Sequence, residues 1–226
     1  MTLKDLITVL KSSTSMEDID VHREEIIELI PQVKIMIGYD QCNRTHQYDL
    51  WYHSLKTVIG LPKDIDDDMV YLAALLHDIG KPDCRIEDEK DGKPNMHYYG
   101  HPERSVEIVV DSVLPTLIAK GETLSFDEQR ILQYYILYHD DHVSCKVKHL
   151  RRHLNNLKVT LDQFKNLMKL QVADAKAHII FPFIQERIDI CEKLAGDYSD
   201  ILYKKILGEC VNIETDIYLV EREVKE

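Results

Sequence analysis

His77 and Asp78 stand side by side at the end of a nearly unbroken apolar run, Met69 to Leu76. An imidazole and a carboxylate leaving a core helix together lose water, which costs free energy unless both are paired or bound to a cation. A metal ion satisfies both at once. Four more ionisable residues occupy apolar or helix-end settings: His53, His101, His139 and Asp174. Mixed imidazole and carboxylate donors suit Mn, Fe, Ni, Co or Zn, with Mg as a harder alternative. Each residue also has a plainer use. A lone histidine on an apolar face is usually a hydrogen-bonded core residue. Asp174, next to Ala173 and Ala175, reads equally as a buried cap or an ion-pair member, and His139-Asp140-Asp141-His142 as a polar helix end. Residue types alone leave shared metal binding and separate structural roles both open.

The elements that must position these groups are helices. Apolar spacing predicts one helix over residues 2–10 and a second from Met16 to Ile30, with Ile19, Ile26, Ile27 and Ile30 on one face and Pro31 at its end. No chemistry is visible in this first segment. Residues 38–48 are polar and predict a loop. Asp49 then opens a helix that carries His53 and closes at Gly60 and Pro62. Asp66 to Asp68 supply caps for the core helix, Gly80 reads as its C′ residue and Pro82 as its stop. Asp91-Gly92, between Ile86 and His97, signals a short β-hairpin that could form a lid or substrate loop beside the His-Asp pair. Pro102 suits the first turn of a helix beginning at His101, and Pro115 ends or kinks it. Ser125 with Glu128 and Thr160 with Gln163 are capping-box pairs opening the helices that lead to His139 and through Asp174. Pro182 to Gly196 frames a further helix. The expected fold class is all-α, with residues 1–37 a helical segment packed on the core, 38–182 the core itself and 183–226 C-terminal helices.

Composition sets outer limits. The 226 residues are enough for a sizeable core, and 44% hydrophobic with 30% charged residues is ordinary for a globular domain. A net charge of −12 argues against an extended nucleic-acid surface. Arg151-Arg152-His153 therefore reads as a solvated face. Five scattered cysteines without a CxxC pair suit a reducing compartment, so a cytoplasmic location is expected. No apolar run reaches membrane-spanning length and no signal peptide is visible.

His53, then His77-Asp78-Ile79-Gly80-Lys81, then Asp174 resembles the H…HD…D pattern of the HD-domain metal-dependent phosphohydrolases. Gly100-His101, with its preceding hairpin, and Tyr138-His139 resemble the subset associated with CCA-adding tRNA nucleotidyltransferases and their standalone relatives. The resemblance covers residues 40–180. It implies an HD-domain helical bundle in which His53, His77, Asp78 and Asp174 hold a first divalent metal, and Asp78 bridges to a second held by His101 and His139. It implies hydrolysis of a phosphomonoester or phosphodiester of a nucleotide, cyclic nucleotide or RNA-terminal phosphate by metal-activated water. Within 226 residues there is no room for a nucleotidyltransferase domain, so nucleotide addition is not implied. Lys81 is a catalytic and phosphate-binding candidate, with a solvated helix-end cation as its plainer reading. Arg44, His46 and Arg104 are weaker substrate contacts, for which surface ion pairs compete. Tyr98 or Tyr99 could stack on a base, although packing is the commoner use. The expected partner is a small phosphorylated molecule. A non-catalytic nucleotide- or metal-binding sensor is the first alternative, and an HD-type di-iron oxygenase the second.

Overall fold

Residues 1–90 and 93–208 are described by the computed structural model. The predicted turn at Asp91-Gly92, Cys210 and any helix beyond residue 208 lie outside the described residues. Among the described residues twelve α-helices form: α1 (Leu3–Ser12), α2 (Met16–Asp20), α3 (Arg23–Leu29), α4 (Leu50–Gly60), α5 (Asp68–Leu76), α6 (His101–Ile108), α7 (Leu114–Ala119), α8 (Phe126–Tyr138), α9 (Val147–Arg151), α10 (Leu161–Ala177), α11 (Pro182–Ala195) and α12 (Tyr198–Ile206). The fold is an all-α bundle with one short antiparallel hairpin, β1 (Ile86–Lys90) and β2 (Lys93–His97), in which Ile86 lies opposite His97.

The chain is wrapped around α5. Every residue from Met69 to Leu76 is buried, so this helix has no solvent face and is packed from several sides by α1, α4, α8 and α10. The Asp67 side chain caps it by accepting from the Met69 amide, and Tyr135 of α8 donates its hydroxyl to the same carboxylate at 2.6 Å. Both predicted capping boxes form, Ser125 with Glu128 and Thr160 with Gln163. Helices α4 and α10 approach closely at Gly60, where a Cβ would lie 3.2 Å from the Ala173 Cβ. That contact sets the helix carrying His53 beside the helix carrying Asp174.

Among the described residues the main hydrophobic core runs from Leu3 in α1 to Leu202 in α12, and Ala175, Ile184 and Ile188 form a smaller cluster. The N-terminal helices are tied to it by a polar anchor as well. Asp20 accepts from Trp51 Nε1 at 2.7 Å, from the Tyr52 hydroxyl at 3.0 Å and from Arg23. The helix predicted from Met16 to Ile30 breaks at this point into α2 and α3. The turn brings the Asp20 carboxylate to α4 while Ile19, Ile26 and Ile30 all stay buried. Helix α3 ends just before Pro31, as expected, and Pro31 opens a 3₁₀ helix, Pro31–Met36. The segment after α6 continues through a wider π turn, Val109–Val113, into α7, whose first turn accommodates Pro115. No sequence signal marks α9 and the π turn Arg152–Asn156. Among the described residues no helix is long and apolar enough to cross a membrane.

Candidate metal centre

Three helix ends and two helix interiors converge on a single buried point. His77 is the C-cap of α5 and Asp78 follows it; His101 is the first residue of α6; His139 is the C-cap of α8; His53 lies within α4 and Asp174 within α10. All six are buried, from 0% exposed at His77 to 8% at His101 and Asp174.

Gly80 makes the convergence possible, for a reason other than the one its sequence suggests. Its φ is −83°, so the expected left-handed C′ conformation does not occur. A Cβ there would lie 2.6 Å from the Ser105 amide nitrogen and 2.8 Å from the His101 carbonyl oxygen. The backbone of α6 packs directly on Gly80, whose amide donates to the Ser105 hydroxyl at 2.9 Å. His101 is thereby carried to Asp78. The end of α8 is fixed from the far side, where Gln171 of α10 donates to the Tyr138 carbonyl at 2.7 Å and Arg187 of α11 to the His139 carbonyl at 3.0 Å. These groups satisfy carbonyls that a helix end otherwise leaves unpaired.

Asp78 divides the cluster between its two oxygens. Oδ2 faces His53 Nε2 at 3.3 Å and His77 Nε2 at 3.1 Å. Asp174 Oδ1 closes that group, 3.0 Å from His53 Nε2 and 3.6 Å from His77 Nε2. Oδ1 of Asp78 faces His101 Nε2 at 3.1 Å and His139 Nε2 at 3.5 Å. Each of the two sets has its ligand atoms within 4.8 Å of one another. A carboxylate shared in this way is the arrangement of a bridge between two cations.

The tautomers support inward-facing lone pairs. His77 Nδ1 lies 2.9 Å from the Ala74 carbonyl, His101 Nδ1 2.8 Å from that of Tyr98, and His139 Nδ1 2.6 Å from that of Ile136. A carbonyl only accepts, so each Nδ1 carries a proton and each ring turns its Nε2 to the cluster, where a bound cation would take the Nε2 lone pair. His53 Nε2, His77 Nε2, Asp78 Oδ1 and Asp174 Oδ1 are buried with no hydrogen-bond partner of acceptable geometry. Buried polar atoms are rarely left so, and these four belong to one cluster. The donor set therefore fits divalent cations of the transition series.

The cluster also draws positive charge. Burial works against a charge on His77, but the Asp78 and Asp174 carboxylates outweigh it and raise its pKa to about 10. Burial likewise opposes ionisation of Asp78, yet His77 and Lys81 hold it well below the usual carboxylate range. Asp174 is held low in the same way, burial being outweighed by His178, His53 and His77. His139 is lowered, chiefly by burial.

Lys81 is not the solvated cation of its plainer reading. It is 6% exposed, and its Nζ contacts Asp78 Oδ2 at 2.7 Å, Gln41 Oε1 at 2.9 Å and His46 Nε2 at 3.2 Å. A cavity of about 590 Å³ opens onto the cluster and is lined by Asp78, Lys81, His101, His139 and Asp174, with His46 and His178 beside them. Burial first, and then the Lys81 charge, push the pKa of His46 down to about 2, so this ring is neutral. Arg44 and Arg104 do not line the cavity. Arg44 lies over the Phe181 ring, and Arg104 pairs with Asp83 and Glu107. Tyr98 is packed with its hydroxyl on the Gln41 carbonyl, whereas Tyr99 is exposed at the rim and stacked on His97.

Two neighbours were not visible in the sequence. Gln41, 1% exposed, holds Lys81 from inside a polar loop that gives no signal of burial. His178 lies one turn beyond Asp174 and donates Nδ1–H to its carbonyl at 2.8 Å. The i, i+4 spacing from Asp174 was the available clue.

Two comparisons bear on this geometry. The "Multifunctional CCA protein" of Legionella pneumophila strain Lens is 24% identical over 200 residues, covering 85% of this chain and 42% of that protein, and the strain Paris protein gives the same values. The chain thus spans less than half the length of these curated relatives. The HD domain family model matches residues 45–176, more than half of the chain and the stretch that holds all six clustered residues. With its helical bundle and its buried histidine–aspartate cluster, the chain belongs to the HD domain family, in the superfamily of metal-dependent phosphohydrolases.

Proposed function

We propose that this chain hydrolyses a phosphate monoester or diester of the nucleotide class, using one or two divalent metal ions. The observation that carries the reading is the set of bare, buried donor atoms around Asp78, whose two oxygens face two separate groups of imidazoles. His53, His77, Asp78 and Asp174 would hold one ion, and Asp78, His101 and His139 a second. Divalent cations in such a site lower the pKa of water and neutralise charge on phosphate oxygens. Lys81 restrains Asp78 Oδ2 and adds a fixed positive charge on the cavity wall, where phosphate oxygens would lie. The neutral His46 accepts from Lys81 and so helps aim the ammonium. Gln41 supports it from the other side. Burial of the cluster keeps bulk water out, which strengthens each of these interactions.

The test is a metal add-back assay. Protein stripped with a chelator is supplied with Mn²⁺, Ni²⁺ or Co²⁺ and offered p-nitrophenyl phosphate, bis-p-nitrophenyl phosphate and a panel of nucleotides. Metal-dependent turnover that Asp78→Ala abolishes supports the reading. Stoichiometric metal without hydrolysis of any ester favours a non-catalytic metal- or nucleotide-binding role.

A further inference from the structure

Residues 143–161 contain five lysines and arginines and no aspartate or glutamate, in a chain whose net charge is −12. Four of these cations, Lys146, Lys148, Arg151 and Arg152, are exposed on α9 and its flanks and line one shallow groove of about 430 Å³ with Ser144 and Asn156. Arg152 is engaged by Asp141, while Lys146, Lys148 and Arg151 form no ion pair among the described residues. A cluster of like charges raises the free energy of the fold by self-repulsion, so three unpaired cations side by side are a cost that an anionic ligand would offset.

The groove adjoins the metal-side cavity. Asp141 lines both. Tyr138 lines the cavity, and the Arg152 guanidinium sits 5.7 Å over its ring. Two carboxylates at this border are already paired, Asp141 with Arg152 and Asp140 with Arg187. The border is therefore less repulsive to phosphate than its acidic residues suggest.

We propose that this groove binds the sugar–phosphate backbone of a single-stranded oligonucleotide whose terminal or scissile phosphate lies in the metal-side cavity. The inference rests on the phosphohydrolase reading of that cavity and narrows its substrate class from a lone nucleotide to a strand. A mononucleotide placed at the metal cluster has no second phosphate to offer Lys146, Lys148 and Arg151. A single strand supplies a charge at each nucleotide and is flexible enough to reach a cluster whose residues are at most 8% exposed. A duplex end is too wide and stiff for such a pocket. In a chain of net charge −12, the proposal gives Arg151 and Arg152, read from the sequence as part of a solvated face, a specific use.

The experiment measures anisotropy of a fluorescein-labelled eight-nucleotide single-stranded RNA bearing a 3′-phosphate, titrated with the full chain between 50 and 200 mM salt. The comparison is Lys146→Ala/Lys148→Ala/Arg151→Ala, whose three side chains are exposed, so the fold is retained; circular dichroism checks this. The triple variant should bind about tenfold or more weakly, and the slope of log affinity against log salt should fall by about 2, from roughly 0.7 per released phosphate contact. Its turnover of a nucleoside 3′-monophosphate should stay within about twofold of the parent. Equal affinity and equal salt slope in parent and variant would overturn the proposal, as would no RNA binding by the parent at 50 mM salt. The binding measurement needs no turnover. Absence of hydrolysis therefore counts against the phosphohydrolase reading, while the anisotropy result alone decides the groove.

Discussion

His101 and His139 face each other Nε2 to Nε2 across 3.1 Å, and each ring has its Nδ1 on a backbone carbonyl. With a proton on each Nδ1, both rings turn Nε2 toward Asp78, where a bound cation would take both lone pairs. His101→Ala or His139→Ala should lower bound metal from two ions per chain to one, with helical content unchanged by circular dichroism. Metal analysis after gel filtration reads the result. An unchanged stoichiometry would remove this pair from the ligand set.

Lys81 and Asp78 form a buried contact at 2.7 Å, with Gln41 and His46 completing the ammonium's surroundings. Lys81→Ala should lower kcat by about a hundredfold, the usual scale for losing a charge aimed at the reacting group. Bound metal should remain. Loss of metal together with activity would instead make Lys81 a support for the ligand cluster, and unchanged activity would take it out of the chemistry.

Gly80→Ala places a methyl group within 3 Å of the α6 backbone. Backbone cannot step aside as a flexible side chain can, so His101 must move away from Asp78. Urea denaturation should show a loss of about 1–3 kcal/mol, the range for overpacking a tight contact. The second metal should be lost before the first. A variant with parental stability and both metals would show that α6 is not held by this contact.

His153 is fully buried, with Nδ1 2.8 Å from the Tyr134 hydroxyl and Nε2 3.2 Å from His149 Nε2. Burial, followed by the nearby His149 and Arg152, lowers its pKa to about 3. The folded-state pKa lies below that of the unfolded chain, near 6.5. The contribution of this ring is therefore full above pH 6.5 and is lost as pH falls from 6.5 toward 3, at about 1.4 kcal/mol per pH unit. Urea midpoints at pH 7 and pH 5 should differ less in His153→Gln than in the parent, by about 2 kcal/mol in unfolding free energy. Equal pH sensitivity in the two proteins would contradict the assignment.

The sequence made the helices legible where pattern and caps agree. Asp49, Ser125 and Thr160 open their helices through side-chain oxygens, and the apolar stretch of α5 is buried along its length. It was misleading where long-range contacts override local pattern. Asp20 breaks a continuous apolar periodicity because Trp51 and Tyr52, some thirty residues on, offer it hydrogen bonds. Gly80 looked like a helix stop and is a packing surface for α6. Lys81 read equally as a phosphate-binding group and as a solvated cation, and it is turned inward by Gln41, a partner forty residues away in a loop. Arg104 follows His101 by one turn, but its guanidinium is taken by Asp83 and Glu107. Residue types alone left the convergence of the six clustered residues open, and the resemblance to the HD-domain pattern is what grouped them; the side-chain partners that aim them arise only from the tertiary fold.

The central claim is that Asp78 bridges two metal ions. Crystals of the chain grown with Mn²⁺ and measured at the manganese absorption edge test it most directly. The account predicts two anomalous peaks, one among His53, His77, Asp78 and Asp174 and one among Asp78, His101 and His139, with a different Asp78 oxygen on each. A map with a single anomalous peak at Asp78, or none, would contradict it.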